Sequence, residues 1–201
     1  LSTFNGIVTD DYMHVIGGAY KTLGHDVEYV NDVAKMHGSI DDIHVVLLAV
    51  SACKLRMRGK KRIVFWSQGI WPEESFLKHS SRLRLSICNI IEKMALSISE
   101  RVFVVSSPQL RHFETKYGLK LQDKSLVMPC SNESLHESSF YAEGKYERPV
   151  FVYAGSLARY QCIDETLEAF RIAQSITPEA SLMFLTSDQE KARTLVSRHG
   201  I

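Results

Sequence analysis

The chain has 201 residues, 45% hydrophobic and 23% charged, the make-up of a globular protein with a sizeable core rather than a disordered or fibrous one. Its net charge of +1 conceals an asymmetry: residues 1–50 carry seven Asp/Glu against two Lys/Arg, whereas 51–100 carry ten Lys/Arg against four Asp/Glu. No apolar run approaches the ~20 residues that span a bilayer, no signal peptide is read, and Cys53, Cys88, Cys130 and Cys162 lack any metal-ligand spacing, so free thiols in a reducing cytoplasm are expected.

In chain order, Asn5-Gly6 is turn chemistry. Tyr12 to Leu23 reads as a helix despite Gly17-Gly18, with Gly24 just past its end. GHDVEYV at 24–30 then reads as a strand, and His25 as a structural residue more than a ligand. The run IHVVLLAV, 43–50, is a buried strand that either stops or continues into a helix. KLRMRGKKR, 54–62, gathers six positive charges ahead of a strand at Ile63 to Trp66 that is apolar enough to be buried on both faces. The loop 67–76, SQGIWPEESF, leaves the carboxyl end of that strand, where ligands sit in parallel sheets. Gln68 and Gly69 offer an amide and close backbone approach. Glu73 and Glu74 offer carboxylates, or else belong to the first turn of a helix and complement its dipole.

Ser81 to Ser99 reads as a long helix whose stripe Leu83, Ile87, Ile90, Ile91, Met94 and Ile98 is expected to face the core. Lys78, Arg82 and Arg84 at its start join 54–62 either as a solvated basic face or as a docking patch for an anionic membrane. RVFVVSS, 101–107, is a buried strand; Pro108 opens a helix ending at Gly118, and Ser106-Ser107 either contact a ligand or, more simply, cap that helix. SLVMPCSN, 125–132, closes the first set of elements. The polar stretch 133–149 reads as a linker between a domain at 1–132 and a second at 150–201. There, Val150 to Ala154 is a strand that breaks at Gly155-Ser156. A helix follows with apolar positions Ile163, Leu167 and Phe170, then a strand from Ser181 to Thr186 and a helix from Gln189 to Arg198. Alternating strands and helices predict an α/β fold with parallel, right-handed connections. Strand, glycine turn and helix form the local grammar of a phosphate-binding unit, and equally of a plain βα turn.

Three stretches carry a family resemblance: IVFWSQGIWPEES at 63–75, SERVFVVSSPQLRHFETKYG at 99–118 and FVYAGSLARYQCIDETLEAF at 151–170. In that order they resemble GT-B glycosyltransferases of family 4, the "glycosyl transferases group 1" proteins. The resemblance implies a Rossmann-like N-terminal domain on the acceptor side, followed by the first βαβα of a second Rossmann-like domain that binds the donor. It implies a retaining transferase moving a sugar from a UDP- or GDP-sugar to a polysaccharide or lipid-linked acceptor. No cofactor, metal or nucleic acid is expected, and the place of work is the cytoplasm or the inner face of the plasma membrane. Gly155, Ser156, Arg159 and Gln161 are then the donor phosphate loop, and Gln68, Gly69 and Glu74 line the acceptor side. The chain departs from the family where an arginine and a lysine usually follow the loop glycine; Ser156 and Gln161 stand there, with Arg159 as a neighbouring replacement. Cys162 occupies a place usually held by glycine. The family's opening strand is not convincingly present, and its acidic E-x7-E motif would lie past residue 201, so the chain is expected to end in an incomplete second domain, at 150–201, and no catalytic residue is named. The competing expectations are a non-catalytic nucleotide- or sugar-binding module and a purely structural α/β domain. No GxSxG, Walker loop, HExxH or DxD pair supports a hydrolase, NTPase or metalloenzyme.

Overall fold

Each strand in the ladders of the computed structural model pairs in parallel with its neighbours, in two separate sheets. The structure describes residues 7–130, 136–141, 143–144 and 147–201, with the side chains of 7–10, 139, 140 and 159 outside that description. The Asn5-Gly6 turn and parts of the 133–149 linker therefore lie outside the described residues. The chain divides into two compact units, Leu1–Ser134 and Leu135–Ile201.

The first unit holds a four-stranded sheet in the order β1 (His44–Val46), β2 (Ile63–Ser67), β3 (Arg101–Val104), β4 (Ser125–Val127). Strand β2 is buried along its whole length, as its continuous apolar run requires. Helix α1 (Ile7–Thr22) covers one face, where Met13 and Ile16 pack with Val45, Val64 and Trp66. The opposite face is covered by α2 (Ala49–Met57), α4 (Arg82–Ile98) and α5 (Ser107–Tyr117), whose Leu55, Leu96 and Phe113 pack with Val46, Phe65 and Val104. A further helix, α3 (Trp71–His79), packs against α4. This is an α/β fold built on a parallel sheet, consistent with a Rossmann-like arrangement.

Three expectations are corrected here. Residues 24–30 do not form a strand: 25–29 run without a ladder and only Val30 makes a bridge. Alternating side chains alone do not make a strand when no partner strand lies alongside. The segment instead lays Tyr29 over Gly17 of α1, so closely that a Cβ there would collide with the Tyr29 ring. Next, the stretch 71–76 is not loop but the opening of α3, with Pro72 in its first turn. Most consequential is α4. Its predicted core stripe faces out: Leu83, Ile87, Ile90 and Met94 are 73%, 49%, 61% and 46% exposed. The helix buries Cys88, Glu92, Ala95 and Leu96 instead, with Ile91 partly buried beside them. Small side chains at 88 and 95 favour close approach of the flanking helices α2 and α3.

The second unit repeats the grammar once: β5 (Val150–Ala154), α6 (Ile163–Ile176), β6 (Ser181–Leu185), α7 (Gln189–Arg198), with β5 parallel to β6 from Val150↔Ser181 to Ala154↔Leu185. Leu157, Ile163, Leu167, Ala192 and Leu195 form its core under Tyr153, Leu182 and Phe184.

Candidate functional site

In each unit the loops leaving the carboxyl ends of the strands are the places that parallel sheets offer to ligands. In the first unit β2 ends at Ser67, whose hydroxyl donates to the Gly69 carbonyl at 2.9 Å. The Gln109 side chain reaches across from α5: its Nε2 donates to the same carbonyl at 2.9 Å, and its Oε1 accepts from Val105 N at 2.8 Å. One amide thus ties the exits of β2 and β3 together. Ser106 N-caps α5, its hydroxyl accepting from Gln109 N at 3.3 Å. Gln68 is half-buried, and the Glu74 carboxylate lies against Gly69, filling the space a Cβ would need. The structure therefore brings Gly69 and Glu74 together, beside Gln68. The sequence reading missed Gln109, for which no pattern beyond its place just after Pro108 gave a signal.

Behind this loop lies a polar cluster that the sequence reading also missed. Glu92, 1% exposed, accepts from the Tyr117 hydroxyl at 2.7 Å. Lys116 Nζ stands 3.9 Å from Glu92 and 2.6 Å from Glu73, and His112 Nε2 is 3.6 Å from Glu73. Burial pushes the Glu92 carboxyl up to about 7, against the pull of the Tyr117 hydrogen bond and the Lys116 charge. Burial, then the Glu92 hydrogen bond, raises the Tyr117 phenol as well. A carboxyl this enclosed holds α3, α4 and α5 together; it meets no solvent and does not reach a ligand.

In the second unit, β5 ends at Gly155, whose φ of 152° lies in the region that favours glycine. Its N–H donates to Leu185 O at 3.0 Å, so the turn is pinned to the end of β6. The Tyr153 hydroxyl donates to Ser156 O at 2.6 Å, and Lys191 Nζ of α7 donates to Leu157 O at 3.0 Å. Buried Leu157 anchors the loop from below, while Gly155, Ser156, Tyr160 and Gln161 remain exposed. Residues Arg159–Gln161 form a single 3-10 turn; the Arg159 side chain lies outside the described residues. Gly155, Ser156 and Gln161 thus share one shelf on the same exposed loop. Cys162 follows at φ 52°, a left-handed conformation that a glycine adopts without strain. The helix beyond starts with acidic residues, Asp164 and Glu165. His199, 3.0 Å away, and Arg198 hold the Asp164 carboxyl below its usual range.

Compared with known proteins, the chain matches no family model and no curated protein. The geometry alone then orders the candidates. A cavity of about 990 Å³ opens at the other end of the first sheet, by His44 and Arg62 at the starts of β1 and β2, where residues 24–28 and 41–43 also line it. His44 Nε2 has no hydrogen-bond partner, and burial, then the Lys60 charge, holds the ring's pKa below the usual histidine range, which favours its neutral form. Being at the amino ends of the strands, this cavity is the poorer place for a ligand in a parallel sheet. Among the described residues, no group of three or more His, Cys, Asp or Glu is arranged to hold a metal, and no helix is long and apolar enough to cross a membrane.

The basic run 54–62 proves to be divided. Arg58 donates to Val33 O at 2.6 Å, Lys60 to Gly38 O at 2.5 Å and Ser39 O at 3.1 Å, and Arg62 lies 3.5 Å from Glu100. Arg58, at the end of α2, and Lys60 thus hold residues 33–39 in place, and Arg62 also reaches the Asp41 carbonyl at 3.5 Å. Lys54 and Arg56 stay exposed on α2.

Proposed function

We propose that the chain belongs to a retaining glycosyltransferase that moves a sugar from a nucleoside-diphosphate sugar to a glycan or lipid-linked acceptor. The observation that carries this reading is the turn at Gly155. It is an exposed loop at the carboxyl end of a parallel strand, held rigid from three sides and opened by a glycine whose backbone geometry suits close approach of a ligand. In this reading the Ser156–Ala158 amides and Gln161 grip the leaving diphosphate. They stabilise its developing charge with dipoles already oriented, so little reorganisation accompanies the transfer. Arg159 adds a positive charge to that grip, and Gln68, Gly69 and Glu74 face the acceptor. The nucleotide-sugar is a co-substrate and no resident cofactor takes part. No general base or nucleophile is assigned.

A second reading is a non-catalytic module for a nucleotide or sugar: Asp164 and Glu165 occupy the first turn of α6 and weaken its attraction for an anion, which weighs against strong stabilisation of a leaving diphosphate. Isothermal titration with UDP, GDP and their glucose and mannose conjugates tests both. The proposal predicts saturable binding of one nucleotide in the millimolar range or tighter, roughly −4 kcal/mol or better, and no saturation by inorganic phosphate. Absence of saturation with every nucleotide contradicts both readings. Saturation without turnover on a lipid-linked acceptor leaves the binding module.

A further inference from the structure

Helix α4 carries its apolar residues on the outside. At roughly 100° per residue, Leu83, Ile87, Ile90 and Met94 fall within an arc of about 60°. All four are exposed. From Leu83 to Met94 this stripe runs about 16 Å along the helix. The same projection puts Arg82 and Lys93 along one margin and Arg84 along the other, and all three are exposed. The only carboxylate of the helix, Glu92, is on the opposite side and buried. The helices packed on either side add more of the same chemistry: α3 contributes exposed Leu77 and Lys78, α2 exposed Met57, Lys54 and Arg56. Among the described residues, none of Lys54, Arg56, Lys78, Arg82, Arg84 and Lys93 bridges a carboxylate. On α3, Glu73 is engaged by Lys116, and Glu74, one turn before Lys78, lies against Gly69 and makes no ion pair with Lys78.

We infer that the outer face of α4 docks onto an anionic lipid surface, with the Leu83–Met94 stripe entering the headgroup boundary and the flanking cations meeting lipid phosphates. An apolar stripe bordered by Lys and Arg on a helix lying in the interface plane is the pattern of interfacial association, and each basic group near such a surface adds about 1 kcal/mol. Charge decides against a second copy of the chain as the occupant. An isologous contact would set Arg82, Arg84 and Lys93 against their own counterparts with no carboxylate between them. Composition decides against a protein partner, because the stripe offers Leu, Ile and Met but no Trp or Tyr anchor of the sort that dominates protein interfaces. The inference rests on this helix alone and stands apart from the transferase reading.

The test is co-sedimentation with phosphatidylcholine vesicles that contain 30% phosphatidylglycerol or none. Wild type is expected to bind the anionic vesicles, and to release them as salt rises from low to physiological ionic strength. Two variants, Ile87→Asp/Ile90→Asp and Lys78→Gln/Arg82→Gln/Lys93→Gln, are each expected to bind at least ~10-fold more weakly. All five positions are exposed, so unchanged melting and near-ultraviolet dichroism are expected and verify the fold. No binding by wild type, or binding unchanged in both variants, overturns the inference. So does a concentration-dependent dimer in sedimentation velocity that Ile87→Asp/Ile90→Asp dissolves, since the face would then belong to a second copy.

Discussion

The two sheets obey the same rules and are covered differently. In the first, β2 is buried along its length because α1 lies on one face and α2, α4 and α5 on the other. In the second, Tyr153, Leu182 and Phe184 pack toward the helices with Tyr153 beside Phe184, while Phe151, edge-on to Phe170 on the same face, is still 45% exposed. Val150, Val152, Met183 and Leu185, on the opposite face, are 47%, 58%, 50% and 54% exposed. Parallel strands normally bury both faces under helices, so the second sheet has half the cover of the first. Hydrophobic content in a strand therefore reports what the strand is suited to pack against, and the neighbours decide whether it does.

Truncations test this contrast most strongly. Phe113→Ala, in the fully buried core of the first unit, is expected to cost about 3–5 kcal/mol, and Leu167→Ala, in the smaller core of the second, about 2–4. Val152→Thr on the bare face is expected to stay within about 0.5 kcal/mol. Denaturant unfolding checks all three. A loss at Val152 comparable with that at Leu167 would show that the second sheet is covered on both faces.

The next effect depends on pH. The Glu92 carboxyl titrates near 7 in the fold, above its ordinary 4.5. Its contribution to stability is therefore fully present below about 4.5 and is lost as pH rises through 7. Glu92→Gln keeps an acceptor for the Tyr117 hydroxyl and removes the charge. The variant is expected to be more stable than wild type by roughly 1–3 kcal/mol at pH 8, with little difference at pH 5. Thermal melts across that range check the sign.

A smaller gain is expected at Cys162. Replacing it with glycine relieves a left-handed conformation that costs a side-chain-bearing residue about 1–2 kcal/mol, offset in part by the freer unfolded chain. Cys162→Gly is expected to raise stability by about 0.5–1 kcal/mol, read from the shift in denaturation midpoint. Smallest of all is the change in stability on Ile87→Asp, expected within about 0.5 kcal/mol because the side chain already stands in solvent.

Much of this was legible where local chemistry and tertiary structure agree. Helix α5 starts at a serine cap followed by Pro108 and ends at Gly118, and its bounds follow from those residues. The βαβα of the second unit follows from the apolar run 150–154 broken at Gly155, the helical spacing of Ile163, Leu167 and Phe170, and the strand read from Ser181. The errors came where a pattern had two solutions. Residues 24–30 have alternating side chains, yet a strand needs a partner, which no local pattern supplies. In α4 the bulky aliphatic residues define one arc and the small residues Cys88 and Ala95 another. Close helix packing selected the second, carrying Glu92 inward with it. The site was legible in part for the same reason: Gly155 announces its own backbone geometry, whereas Gln109 acts through a contact 40 residues away from Gly69.

The account's central claim is that a diphosphate is held at the turn after β5. Amide chemical-shift mapping during titration with the nucleoside diphosphate that binds is its most direct test. The account predicts that the largest shifts fall on Gly155 to Ala158. Shifts concentrated instead around His44 and Arg62, at the cavity by the amino ends of β1 and β2 in the first unit, would contradict it.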